Sequence, residues 1–420
     1  MALFGKLFQG KDSHFLALDI GTEVVKALVF QIDQEASKAI VVGTSRVRQK
    51  LGNMESGAVA DIAGVIETSR AAITEACAQA NIPSVHKSIV GIAGELVKGT
   101  TTTVHYNRVN RDLSIGLPEL KTIVQKVQEK ALERIQQELA AETGQSEIDI
   151  QLINAMIVDV RIDGYRVRNP LNFKGGDVSM GVFNAYAPTL HLEALRTIAS
   201  DLHLELLTIA AEPYAVARSI EVDDALDFSA IFIDIGGGTT DIAVVRHGGL
   251  EGTKMFALGG RAFTKRLAQE LGVSFDEAEN IKLQYAWGKV SPEDTERMNA
   301  FFAEDCNLWL SGVEFALAEF STNDLLPTKV FLCGGGSGLP GIKTALQSVE
   351  WSSHLPFAKP PVIGFLQPKD ITGVVDMTET LCNSQDITPM GLANLLVHFE
   401  NEEKLLATML RKTVENIQHH

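Results

Sequence analysis

Two stretches of the chain share one hydrophobic pattern. His14–Phe30 (HFLALDIGTEVVKALVF) and Ala230–Val245 (AIFIDIGGGTTDIAVV) each run as a β-rich apolar segment, then Asp-Ile-Gly, then a second apolar segment. The pattern predicts a strand–turn–strand hairpin in each. The triplets Asp19-Ile20-Gly21 and Asp234-Ile235-Gly236 stand about half the chain apart, which suggests two related halves that each open with a hairpin.

Between the hairpins the period changes. Asp61–Ala80 spaces Ile62, Val65, Ile66, Ala72, Ile73 and Ala76 helically and stops before Asn81-Ile82-Pro83. Lys87–Ala93 reads as a strand. Pro118–Thr143 predicts a helix with Ile123, Val127, Ala131, Ile135 and Leu139 on one stripe, ended by Gly144. Strand-like runs follow at Gln151–Ile162 and Val178–Ala187, separated by glycine turns. Residues of about 85–188 therefore look like a small α+β insertion within the first half. Alternating order then resumes: a helix over Thr189–Asp201, a strand over Leu204–Ala210, and a helix opened by Glu212-Pro213. After the second hairpin, Arg261–Ala286 predicts two helices broken near Leu271-Gly272-Val273-Ser274, and Pro292–Thr322 one long helix. Thr328–Cys333 is a strand followed by Gly334-Gly335-Gly336-Ser337-Gly338 and a further helix.

Composition narrows the class. The 420 residues are 45% hydrophobic and 6% aromatic, with 35 Gly, which suits an Ala/Val/Ile-rich α/β protein of two or more cores. A formal net charge of −16 makes the chain a poor general partner for nucleic acid, so a polyanion needs a local site. The four scattered cysteines form no C-x-x-C, which argues against a disulfide framework or zinc knuckle and for a reducing, cytoplasmic compartment. No run of about 18 apolar residues and no signal peptide is evident.

The glycine turns carry the candidate chemistry. Gly236, Gly237 and Gly238 follow Asp234 at the end of a buried-type strand, where a bare backbone can approach a ligand and aim N–H groups at phosphate oxygens; Thr239 and Thr240 add hydroxyls. The first turn offers Gly21, Thr22 and the cation Lys26 more sparely, and taken alone a plain tight hairpin is its better reading. Asp19 and Asp234, at matching strand ends, are candidates to hold Mg²⁺ mostly through its waters. Glu212 is placed to orient an attacking water, although a first-turn acid also suits the helix dipole. Gly336-x-Gly338-x-x-Gly341 matches a dinucleotide fingerprint only formally, because Pro340 interrupts it and no acidic residue follows at the required distance. A glycine platform beneath an adenine ring is the better reading. No G-x-x-x-x-G-K-[ST], H-E-x-x-H or nucleophile elbow occurs.

Together LALDIGTEVVKALVF, IFIDIGGGTTDIAVV and VFLCGGGSGLPGI resemble the first phosphate, second phosphate and adenosine motifs of the actin/Hsp70/sugar-kinase ATPase superfamily. Glu212-Pro213 is similar to the connecting motif of MreB and Hsp70. Gly259-Gly260 through Glu279 and Lys282 resembles the ribose- and adenine-contacting part of the second half, and Gly335, Gly336 and Ser337 fall in the adenosine motif. The place of the insertion, and the phrase Asp163-Gly164-Tyr165 to Asn169-Pro170, resemble the FtsA/PilM family.

That resemblance implies an α/β, actin/Hsp70-like fold of two related halves around a nucleotide cleft, with an FtsA-type, SHS2-like insertion. The implied domains are an amphipathic segment 1–12; a first half of 13–84, 189–228 and 371–400; the insertion 85–188; a second half 229–370; and a terminal helix or tail 401–420. It also implies ATP and Mg²⁺ as cofactors, with Asp19, Glu212 and Asp234 in catalytic roles in at most a slow ATPase. The expected function is a filament-forming scaffold that tethers division proteins, FtsZ or a membrane protein's cytosolic tail among them, to the inner membrane face. The alternative is a PilM-like pilus adaptor holding a partner's N-terminal peptide. A third reading, a small-molecule kinase, lacks a visible sugar-binding acid motif. Met1–Lys11 places Leu3, Phe4, Leu7 and Phe8 on one face with Lys6 and Lys11 elsewhere, a short segment suited to an anionic membrane surface.

Overall fold

A computed structural model describes residues 14–94, 96–144, 148–167, 169–220, 228–320 and 324–401. The expected amphipathic segment 1–12 lies outside the described residues, as does the terminal tail beyond Asn401.

The first hairpin is β1 (His14–Ile20) and β2 (Val24–Asp33), continued by β3 (Lys38–Arg48). The short pair β4 (Met54–Glu55) and β5 (Ala58–Val59) leads to α1 (Ile62–Gln79), whose Asp61 side chain accepts from the Ala63 N–H as the N-cap. Then come β6 (Lys87–Ile92), β7 (Lys98–Asn107), α2 (Leu117–Thr143), β8 (Ile150–Ile162), β9 (Tyr165–Arg166), β10 (Asp177–Pro188), α3 (Thr189–Asp201), β11 (Glu205–Ala211) and α4 (Glu212–Arg218). The second half holds β12 (Ala230–Ile235), β13 (Thr240–Arg246), β14 (Gly249–Phe256), α5 (Gly260–Leu271), α6 (Phe275–Ala286), α7 (Pro292–Ala318), β15 (Lys329–Cys333), α8 (Pro340–Gln347), α9 (Val349–Ser353) and β16 (Val362–Phe365). The chain closes with β17 (Val374–Asp376) and α10 (Ile387–Asn401).

The duplication is visible in strand order. One sheet runs β11-β6-β1-β2-β3-β17, and five strands of the other run β16-β15-β12-β13-β14. In each, an antiparallel three-strand meander is followed by two strands parallel to its first. Every residue of β12 is buried, which explains its unbroken apolar run: a strand covered on both faces has no polar side to alternate with.

The insertion differs from expectation in two respects. β6, assigned on sequence to the insertion, is a strand of the first sheet, paired in parallel with both β1 and β11. Its apolar run is that of a central strand and carries no mark of which sheet receives it. The remaining strands, β7, β10, β8 and β9, although expected as an insertion within the first half, extend the second half's sheet through the antiparallel contact of β7 with β14. The stripe of α2 predicted from periodicity is buried against them. At its base the insertion also joins the first core: Ile153, Phe183, Ala185 and Ala187 pack with Tyr214 of α4, and the Phe183 and Tyr214 rings stack 5.5 Å apart.

Candidate functional site

The two hairpin turns meet. A Cβ on Gly238 would lie 2.8 Å from Thr22 Oγ1, and one on Gly237 would lie 2.7 Å from Glu23 Cβ, so these glycines are where the second turn passes against the first. The second turn is braced by its own backbone: Gly236 N–H donates to Thr239 O, Gly260 N–H to Gly236 O, and Arg261 N–H to Gly237 O, all at 2.8–2.9 Å. Gly259 is obligatory here because a side chain would strike Gly236 O at 2.6 Å. Gly334 adopts φ 82°, ψ 163°, a region that only glycine enters without strain, and its missing Cβ leaves room for Asp234 Oδ1.

Four buried carboxylates converge with one ammonium. Lys26 Nζ donates to Asp19 Oδ2 at 2.8 Å across β1 and β2, where the two residues are register partners. Burial works against the Lys26 charge, but Asp19, helped by Asp234 and Glu212, holds its pKa above the ordinary value. Burial pushes the Glu212 carboxyl well up, and the charges of Asp19, Asp241 and Asp234 push it further. Burial likewise raises Asp234, against the bond donated by Thr388 of α10. Asp241 stands well above the usual range through burial and the neighbouring Asp234. The Cys333 thiol is pushed well up by the same burial and charges, so it sits beside Asp234 as a neutral S–H.

This set fits nucleotide phosphates with a hard cation. One lysine leaves most of the carboxylate charge unbalanced, and Asp241 Oδ1 is buried without a hydrogen-bond partner. Among the described residues no three metal-ligating side chains form a ready cage.

The other candidates divide. Glu279 and Lys282 of α6 come together beside the Gly259–Gly260 corner: Lys282 Nζ donates to Glu279 Oε2 at 2.7 Å, to Thr264 Oγ1 at 2.8 Å and to Gly260 O at 3.0 Å. Their polar atoms are largely spent on one another and on the N-terminus of α5, so they shape the corner first. Gly335 and Gly336 form a 3₁₀ turn with Ser337, whose hydroxyl donates to Gly334 O at 2.7 Å and meets Ser384 Oγ at 3.0 Å. Thr240 is a correction: its hydroxyl donates to Leu258 O and accepts from Trp309 Nε1 at 2.9 Å. It serves the core, leaving Thr239 as the hydroxyl of that turn nearer the carboxylates, bonded to Asp241 Oδ2 at 3.1 Å.

Sequence reasoning missed four residues. Asp241 was legible, since it stands opposite Asp234 in the hairpin register. Thr388 carried no local signal. Glu23 and Arg261 form a link between the halves: Arg261 Nε donates to Glu23 Oε2 at 2.7 Å and its Nη1 to Met54 O at 3.1 Å, while Arg48 Nε donates to Glu23 Oε1 at 2.7 Å.

A family model described as cell division protein FtsA matches residues 231–380. Cell division protein FtsA of Bacillus subtilis (strain 168) is 26% identical over 382 residues, covering 86% of this chain and 82% of its own length. That of Pseudomonas aeruginosa is 25% identical over 362 residues, 81% of each chain. Among solved structures, the PilM-PilN type IV pilus biogenesis complex superposes with a TM-score of 0.64 at 16% identity, covering 91% of this chain and 98% of that one. The fold predicted from the duplicated hairpins is therefore the one found. With two duplicated half-sheets, their meeting turns and relatives that match most of its length, this chain resembles cell division protein FtsA in sequence and shares the actin-like fold seen in the PilM structure.

Proposed function

We propose that the chain binds ATP with Mg²⁺ between its halves, assembles into filaments and recruits division proteins to the inner face of the cell membrane. The observation that carries this reading is the meeting of the two turns over Asp19, Lys26, Glu212, Asp234 and Asp241. Backbone N–H groups of Gly21–Thr22 and Gly237–Thr239 are the natural cradle for phosphate oxygens, with Lys26 as the fixed cation. Asp19 and Asp234, with Asp241 beside them, would hold Mg²⁺ mostly through its waters, and the ion would supply positive charge where the phosphates crowd. A cation there also favours the ionised form of Glu212, the state in which it can orient water. Gly335, Gly336 and Ser337 would underlie the adenine, opposite the Glu279–Lys282 corner.

The test is nucleotide-dependent melting. ATP with Mg²⁺ raises the melting temperature of the wild type, and Asp234→Ala abolishes the rise; an unchanged shift in that variant removes the site assignment. Filament formation and membrane recruitment are read by sedimentation with ATP and anionic vesicles, where the full chain pellets. A monomer under all conditions counts against the scaffold. No described helix is long and apolar enough to cross a membrane; Met1–Lys11 is the segment proposed for peripheral attachment.

Two observations favour a second reading, a pilus adaptor that holds a partner's N-terminal peptide. The PilM-PilN structure is matched along nearly its whole length, and only Trp287–Ser291 separates α6 from α7, which leaves little room for a longer tubulin-homologue docking segment. A pull-down with an FtsZ tail peptide against a pilus-assembly peptide separates the two. Substrate-dependent ADP release would instead point to a small-molecule kinase.

A further inference from the structure

One side chain of the insertion, Asn154, is bonded to the backbone next to Glu212. β11 is the edge strand of the first sheet, and it ends at Ala211, the N-cap residue of α4, with Glu212 the first helical residue. An edge strand carries unpaired backbone groups along its outer side. At the outer edge of β11, Asn154 of β8 fills the place of a missing strand. Its Oδ1 accepts from the Ala211 N–H at 2.9 Å, and its Nδ2 donates to Ile209 O over a longer 3.5 Å. In a parallel ladder a single residue takes this same pair, the carbonyl before and the N–H after its partner. Asn154 is buried, its surroundings are the apolar base of the insertion, and it is the side chain that ties this base to the backbone next to Glu212.

We propose that Asn154 is a positioning residue for Glu212: by holding the Ala211 N–H it fixes where the water-orienting carboxylate stands, and it makes the insertion part of the hydrolytic site. Two features reinforce the tie. Phe183 of β10 stacks on Tyr214, in the first turn of the same helix, and a Cβ on Gly91 would meet Glu212 Oε1 at 2.8 Å, so Glu212 is also bounded by β6. A shift of the insertion moves Asn154, and the carboxylate has little room to compensate. A partner docked on the insertion would thus alter hydrolysis without touching nucleotide.

The inference rests on the reading of Glu212 as the residue that orients water, and the experiment separates the two. The full-length chain and its Asn154→Ala, Asn154→Asp and Glu212→Gln variants are compared by titration with fluorescent ATP and by single-turnover hydrolysis. Asn154→Ala should slow hydrolysis about tenfold while ATP affinity stays within about twofold, the signature of lost orientation rather than lost binding. Asn154→Asp keeps an acceptor for the Ala211 N–H at the same reach and should retain most of the rate. Hydrolysis by Asn154→Ala at the wild-type rate, with Glu212→Gln inactive, overturns the positioning role and leaves the site reading standing. A parallel loss of affinity and rate in Asn154→Ala also overturns it, because a loosened fold then explains both. If Glu212→Gln hydrolyses as fast as the wild type, or the wild type does not hydrolyse ATP, the reading of Glu212 fails and the inference with it.

Discussion

Replacing Glu23 with Gln removes the charge at the centre of the link between the halves while preserving side-chain shape. Glu23 belongs to the first turn, and its Oε2 receives Arg261 Nε from the start of α5 at 2.7 Å, with the two side chains only 15% and 12% exposed. A charge-assisted hydrogen bond at such a partly desolvated position is worth about 1.5–3 kcal/mol, of which the amide of Gln recovers part, leaving a loss of about 1–2 kcal/mol. Arg48 does not compensate, because its other carboxylate, Asp276, is 83% exposed and an exposed pair contributes little. If the halves must part for nucleotide to leave, the loss appears in the opening step, and about 1–2 kcal/mol corresponds to a roughly 5- to 30-fold faster release. The assay is stopped-flow displacement of a fluorescent ADP by excess unlabelled nucleotide. Arg261→Met, which also gives up the Met54 carbonyl, should release at least as fast, and the double variant should be no faster than Arg261→Met alone. Release within about twofold of wild type in Glu23→Gln, or fully additive effects in the double variant, would refute the link as the element that limits opening.

Three further outcomes follow from the same geometry. Glu212, Asp234 and Asp241 all titrate above their ordinary values in the folded chain. The folded state therefore binds more protons than the unfolded one, and their contribution to stability falls as pH rises through the raised pKa values. Asp241→Asn should accordingly gain stability over the wild type at about pH 8 and little at about pH 4, measured by melting without nucleotide; a gain of equal size at both would refute the assignment. Gly334→Ala forces a side chain into a conformation that costs about 1–3 kcal/mol and drives its Cβ onto Asp234 Oδ1, so both the melting temperature and the ATP-induced shift should drop. Thr388→Val removes the hydroxyl donated to Asp234 and should weaken ATP binding by about fivefold to tenfold, the equivalent of about 1–1.5 kcal/mol, without changing the fold as seen by circular dichroism.

Much of the architecture is written in local patterns. The apolar run, Asp-Ile-Gly and second run at His14 and Ala230 give the two hairpins at nearly the expected bounds, because strand period and turn glycines are properties of neighbouring residues. The helices over Ile62–Gln79, Leu117–Thr143 and Thr189–Asp201 follow from apolar spacing and their stop signals in the same way. Candidate phosphate residues were readable for a related reason: a turn that lets backbone approach a ligand must spend glycines, and glycines can be counted.

What only the tertiary structure decided is which distant pieces face one another. The affiliation of β6, the extension of the second sheet by the insertion, Thr388 on Asp234, and Asn154 on the backbone before Glu212 all join residues tens to hundreds of positions apart. A strand's own sequence states that it is buried, not which neighbour buries it. The commitment of Thr240 to Trp309 and Leu258 has the same origin, since a hydroxyl beside a glycine turn has two directions to point and the packing of α7 chooses one. The sequence by itself thus determined the repeated unit and the chemistry at its turns. The folded chain decided how the two units close on each other and which residues hold that closure.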